Sequence, residues 1–116
     1  MIKNIVRALI VSSCIFAASV YAKSKQDIVY GITLNASQSK EKKLTSISGE
    51  HIITVTPDNG GIITCSLFID SHYIEENSEV NKCEFKHTSK NSENIIVKIS
   101  NVGSSFIGIE LRHLIK

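Results

Sequence analysis

The sequence predicts an all-β chain: a single small antiparallel β-sandwich of about seven strands, jelly-roll or immunoglobulin-like, with one disulfide. Three observations carry this. Apolar residues recur with a period of two along most of residues 23–116. The breaks between those runs are rich in glycine, asparagine and serine. No stretch shows the 3.6-residue stripe of an amphipathic helix. Period-two alternation gives each strand one face for a core and one for water.

The first segment, 1–22, reads as an export signal rather than as part of the domain. Lys3 and Arg7 make its start positive, ALIVSSCIFAA is apolar, and Val20-Tyr21-Ala22 offers small or aliphatic residues for cleavage after Ala22. The apolar run is shorter than the roughly 20 residues a membrane-spanning helix needs, so no stable span is expected after cleavage. A second reading of the same segment takes Val11-Ser12-Ser13-Cys14 as a lipobox, with Cys14 lipidated. The apolar run continues past Cys14 to Ala18, where a lipoprotein would turn polar.

Strands are expected at 27–34, 43–48, 51–56, 62–69, 82–88, 94–100 and 105–114. Ile28, Tyr30, Ile32 and Leu34 share one face of the first. Ile53 and Val55 do so in the third, and Ile63, Cys65, Leu67 and Ile69 in the fourth. Cys83, Phe85 and His87, then Ile95, Val97 and Ile99, then Ile107, Ile109 and Leu111 continue the pattern. Asn59-Gly60 supplies the positive φ angles of a tight turn, which predicts that 51–56 and 62–69 pair as a hairpin. Residues 36–43 are polar and charged, hence an expected connection. Residues 70–81 (DSHYIEENSEVN) form the longest polar stretch and are expected as a loop.

Once 1–22 is removed, Cys65 and Cys83 remain. An even pair in an exported chain reads as a disulfide, worth about 3 kcal/mol for a loop of this length. Cys83 and His87, four apart, leave a metal site as the rival reading, but a tetrahedral site needs further ligands. No metal and no cofactor is expected.

Ser48-Gly49-Glu50 ahead of 51–56, the run ITCSLFID at 63–70, and 94–100 followed by Asn-Val-Gly-Ser-Ser and 106–114 resemble the bacterial pre-peptidase C-terminal domain. The resemblance covers about two-thirds of residues 23–116. It implies a small jelly-roll-like sandwich that closes with a hairpin over 94–114, in a family that accompanies secreted proteases. Gly60-Gly61 stands where that family often carries an acidic pair.

Composition excludes several functions. Lys and Arg number 13 against 11 acids, and two of the cations leave with the signal, so the domain is close to neutral. Nucleic-acid binding needs a concentrated cationic footprint. Aromatics are 6% with no Trp, which disfavours base or sugar stacking. There is no Gly-x-Ser-x-Gly elbow, no phosphate loop and no His-Glu-x-x-His, so no enzymatic activity is expected. Histidines at 87 and 113 fall on the apolar phase and read as hydrogen-bonded structural residues.

The expected function is therefore binding. In size and layout the chain resembles periplasmic immunity and inhibitor proteins, which neutralise a toxin or cell-wall hydrolase stoichiometrically. The expected contact is the segment between the cysteines: Asp70, His72, Tyr73, Glu75, Glu76 and Glu79, an aromatic anchor among acids. The bland reading of that segment is a solvated hairpin tip. The alternatives are a secreted carbohydrate- or cell-surface-binding module, as the pre-peptidase resemblance implies, or a subunit of an envelope assembly. A protein partner, a monomer or homodimer, and a periplasmic or secreted location complete the expectation.

Overall fold

Six of the eight strands follow from where apolar side chains recur: β3, β4, β6, β7 and β8 bury about every second residue, and β1 alternates half-buried with exposed residues. The structure, a computed structural model, describes residues 26–116. The expected cleavage site and Cys14 lie outside the described residues. The strands are β1 Gln26–Leu34, β2 Ser39–Leu44, β3 Gly49–Pro57, β4 Ile63–Ile69, β5 His72–Val80, β6 Cys83–Ser89, β7 Ile95–Asn101 and β8 Ile107–Ile115. A 3-10 turn at Asp58–Gly60 follows β3. In β4 buried and half-buried residues alternate without exception, as its Ile-Cys-Leu-Ile spacing requires.

Two four-stranded sheets face each other. Sheet A has the order β1-β8-β3-β6 and sheet B the order β2-β7-β4-β5, all pairings antiparallel. This is a jelly-roll arrangement. The gap between the sheets is filled by Leu34, Ile53, Leu67, Phe85, Ile99 and Leu111 among others, all fully or almost fully buried. Burying such side chains contributes about 1.5–3 kcal/mol each.

Four expectations need correction. The strands 51–56 and 62–69 do not form a hairpin: β3 lies in sheet A and β4 in sheet B. The positive φ angles at Asn59 and Gly60 are present, but they close a turn in which the Gly61 N–H donates to the Asp58 carbonyl at 3.0 Å. Both edges of β3 are already taken by β6 and β8, so the chain must cross to the other sheet. For the same reason β7 and β8 do not make the closing hairpin that the pre-peptidase resemblance implied. The polar stretch 36–43 is not a plain connection: β2 occupies Ser39–Leu44 rather than 43–48, an edge strand whose charged residues suit its exposure. The segment 70–81 is not a loop but mostly strand β5, paired along β4. It makes the eighth strand.

The β4–β5 connection is the one hairpin among the described residues. Asp70 and Ser71 form its two-residue turn, both at positive φ, the geometry that matches strand twist. Cys65 on β4 and Cys83 on β6 form the disulfide, with Cα atoms 6.3 Å apart and 18 residues of separation. The bond therefore joins sheet B to sheet A across the core. It is consistent with an extracellular or periplasmic location.

At the end of sheet A opposite the turn Asp58–Gly60, His51 and His113 are fully buried and stacked, with ring centroids 5.0 Å apart. The Ile47 carbonyl can only accept, so His51 donates to it from Nε2 at 2.7 Å. In the neutral ring this leaves His51 Nδ1 as the acceptor for His113 Nε2–H at 2.8 Å. His113 Nδ1 is then a buried acceptor with no hydrogen-bond partner among the described residues. Burial first, and the neighbouring His51 second, push the His113 imidazole down to about 4.

Two predictions follow from this architecture. Replacing both Cys65 and Cys83 with Ala should cost about 2–4 kcal/mol, read as a lower midpoint in urea unfolding of the oxidised protein. An unchanged midpoint would exclude a stabilising bridge. The second concerns acid. The folded pKa of His113 is depressed, so the unfolded chain binds more protons. This group's contribution is complete above about pH 6.5 and is lost as pH falls from there toward 4. His113→Gln should flatten that limb of the stability profile. A loss confined to pH below 4 in the wild type would point to the carboxylates instead.

Candidate functional site

Strand β5 ends sheet B and, among the described residues, is paired on one side only. Seven of its nine residues are exposed, because the strand overhangs the core instead of covering it. Two register shifts interrupt its pairing with β4, one beside Ile74 and one beside Glu79, whose φ is 52°. The first shift decides which side chains share a face. Residues directly opposite each other project to the same side. Tyr73 lies opposite Phe68 and Glu76 opposite Ser66, both on the outer face of sheet B. Glu75 lies opposite the buried Leu67 and so projects to the inner side of the sheet, at its rim.

The structure thus separates the residues that the sequence groups together. Tyr73 and Glu76 share a face and Glu75 does not. Asp70 is engaged within the fold: its backbone and carboxylate bond Asn94 at 2.8 and 2.9 Å, tying the hairpin turn to the start of β7. His72 is exposed at the hairpin tip, and the Glu79 N–H donates to Thr64 Oγ1 at 3.0 Å. Glu76 accepts a long bond from Ser66 Oγ, 3.4 Å.

Tyr73 is 58% exposed and meets Phe68 edge-on, with centroids 6.0 Å apart. Phe68 in turn lies opposite Ile96 on β7. Tyr73, Phe68 and Ile96 form an apolar row across a sheet face that an ordinary sandwich leaves polar. A depression of about 220 Å³ lined by Glu41, Phe68, Ser71 and Ile96 runs beside it. The neighbouring row on the same face, Glu41, Lys98, Ser66 and Glu76, is polar and charged. An exposed aromatic seated on apolar neighbours and rimmed by charge is the usual anatomy of a protein contact.

A second concavity was not anticipated from the sequence. At the other end of the sandwich the turn Asp58–Gly60 and the connection between β7 and β8 enclose a cleft of about 540 Å³. Ligand sites commonly occupy about 300–1,000 Å³. Its lining includes four glycines, Gly60, Gly61, Gly103 and Gly108, together with Asp58 and Phe106. Phe106 is 63% exposed. At Gly108 a Cβ would stand 2.5 Å from Asp58 Oδ2, so the glycine is what admits the carboxylate. Asn101 holds this end together. Its buried amide donates to the carbonyls of Leu34, Asn35 and Ser105, and its Oδ1 accepts from the Gly103 N–H. The signals for the cleft were the glycines flanking 60 and 103–108, which read locally as turns only.

The remaining histidine on the apolar phase, His87, is half-buried and bonds Glu93 at 2.8 Å. That contact, with a further bond from Ser89, holds the Glu93 carboxyl below its ordinary value. Among the described residues no group of three or more His, Cys, Asp or Glu is arranged to hold a metal ion. No helix among them is long and apolar enough to cross a membrane.

No family model matches the sequence, and no curated protein matches it either. A solved structure does. The fold is similar to that of the Yersinia pseudotuberculosis-derived mitogen (YPM), with a TM-score of 0.63 over 78% of this chain and 86% of that one. Sequence identity is 15%, so the likeness carries the fold alone.

Asn101 offers a direct test of how the cleft is built. Asn101→Ala leaves three carbonyls and one N–H without their side-chain partner. It should cost about 3 kcal/mol in thermal or urea unfolding. Asn101→Asp, which keeps the acceptor but loses the donors, should cost nearly as much. If either variant unfolds like the wild type, the turns are held by something else.

Proposed function

We propose that the protein is an exported binding protein that neutralises a toxin or cell-wall hydrolase by stoichiometric association, using the outer face of sheet B at β5. The observation that carries this reading is Tyr73, exposed yet seated on Phe68 and in line with Ile96. Tyrosine anchors give large contact area at small entropic cost. The disulfide fixes β4, the strand on which β5 lies, to the opposite sheet, so the contact face is pre-organised. Glu76 shares the strand and the face of the anchor and favours a basic partner surface there, as many peptidoglycan-cleaving enzymes present.

The cleft between Asp58–Gly60 and the β7–β8 connection favours a second reading, a secreted carbohydrate- or cell-surface-binding module of the pre-peptidase C-terminal kind. Phe106 would be the stacking platform and the Asp58 carboxylate the acceptor for sugar hydroxyls.

Titration against a panel of periplasm-active hydrolases and the product of the adjacent gene separates the two. A partner should bind with an association rate that falls as salt rises. Tyr73→Ala should weaken binding by about 2 kcal/mol, roughly thirtyfold. Glu76→Lys should weaken it more than Glu75→Lys, because the latter side chain lies on the other face. A partner that binds all three variants as tightly as wild type removes the β5 assignment. Retention of glycans, lost in Phe106→Ala, with no protein partner would favour the second reading.

A further inference from the structure

Four strands end the two sheets, and three of them are guarded. β2 carries Lys40, Glu41, Lys42 and Lys43. β5 carries three glutamates and two register shifts. β6 carries Glu84 and Lys86. Charges and bulges of this kind block edge-to-edge pairing. β1 has neither. Its nine residues run in unbroken register along β8, and among the described residues nothing pairs with its other edge. Its single charge, Asp27, is neutralised by a two-pronged bond from Arg112 at 2.7 and 2.9 Å.

The exposed face of β1 also contains an unexplained glycine. Gly31 is not at positive φ, and a Cβ added there would meet nothing within 4 Å. Glycine weakens a strand interior and often marks a place where another chain comes close. Beside it Val29 is 56% exposed. Together with the backbone of Gly108 on β8, Gly31 leaves a shallow depression of about 320 Å³ on this face.

We propose that β1 is the interface of a homodimer, in which two copies pair their β1 strands antiparallel about a two-fold axis at Tyr30. In that register Val29 of each copy lies opposite Gly31 of the other and covers the space the glycine leaves. Asp27 meets Thr33, Ile28 meets Ile32, and no like charges oppose each other within the paired strands. The two A sheets become one eight-stranded sheet, a self-complementary contact of the kind a two-fold axis demands. The Lys42 ammonium lies 4.2 Å from the Tyr30 ring centroid, so each copy brings a cation close to the axis. Salt should therefore tighten the dimer, opposite to its effect on a basic partner at β5. The β5 edge lies at the far end of the other sheet, so this inference stands independently of the proposed function.

The test is sedimentation of the oxidised protein, expressed from its full sequence, from about 1 to 100 μM at low and high salt. A dimer is expected, favoured by salt. Gly31→Lys fits the free chain without a clash, so it should melt like the wild type while weakening dimerisation tenfold or more. Val29→Asp should do the same. A wild type that stays monomeric throughout that range overturns the proposal. So does a dimer that forms equally well in both variants.

Discussion

The structure depends on one constraint: the inner face of each sheet is a continuous apolar surface, so neither is stable without the other. Ile53 and Leu111 on sheet A, and Leu67 and Ile99 on sheet B, are fully buried only because the two faces meet. The order of the strands follows. Every connection except the β4–β5 turn carries the chain from one sheet to the other, so consecutive segments cover each other's apolar faces. The cystine reinforces the same gap, since Cys65 and Cys83 belong to opposite sheets. Function is then left to what lies outside the gap: sheet edges, outer faces and the turns at the two ends.

Much of this was legible in residue spacing. The inward phase of Ile63, Cys65, Leu67 and Ile69, and of Ile95, Val97 and Ile99, is the buried phase. The disulfide followed from parity and compartment. What spacing could not show was destination. Asn59-Gly60 announces a turn, but local φ angles do not say whether the next strand returns to the same sheet. Strands β2 and β5 escaped because their exposed side chains carry no apolar alternation. His51 shares the phase of Ile53 and Val55, so its burial was readable, but its partnership with His113 needed the β3–β8 register.

The candidate sites illustrate the same limit. Tyr73 and its acids were visible as a composition, while the bulge at Ile74, which turns Tyr73 and Glu76 to one face and Glu75 to the other, exists only in the pairing. The cleft was invisible for a different reason. Its lining is rich in turn glycines and its keystone is an asparagine, Asn101, whose four bonds reach residues as distant in sequence as Leu34 and as near as Gly103. Sites assembled from separate turns leave little trace in any one stretch of sequence.

The scarcity of hairpins has a kinetic meaning. A chain with one local strand pair must bring distant segments together before most of its hydrogen bonds can form, and such topologies fold slowly. Strand β1, for instance, waits for β8, the described strand farthest from it in sequence. During that delay the β4–β5 hairpin is the one element that can assemble from neighbouring residues, and the cysteines sit at its base. Oxidation at that stage would anchor β6 beside the hairpin and fix which sheet each segment joins. A protein of this topology thus acquires its cross-link beside its one local strand pair, and reducing conditions would leave the same chain longer as an unpaired, β-rich intermediate.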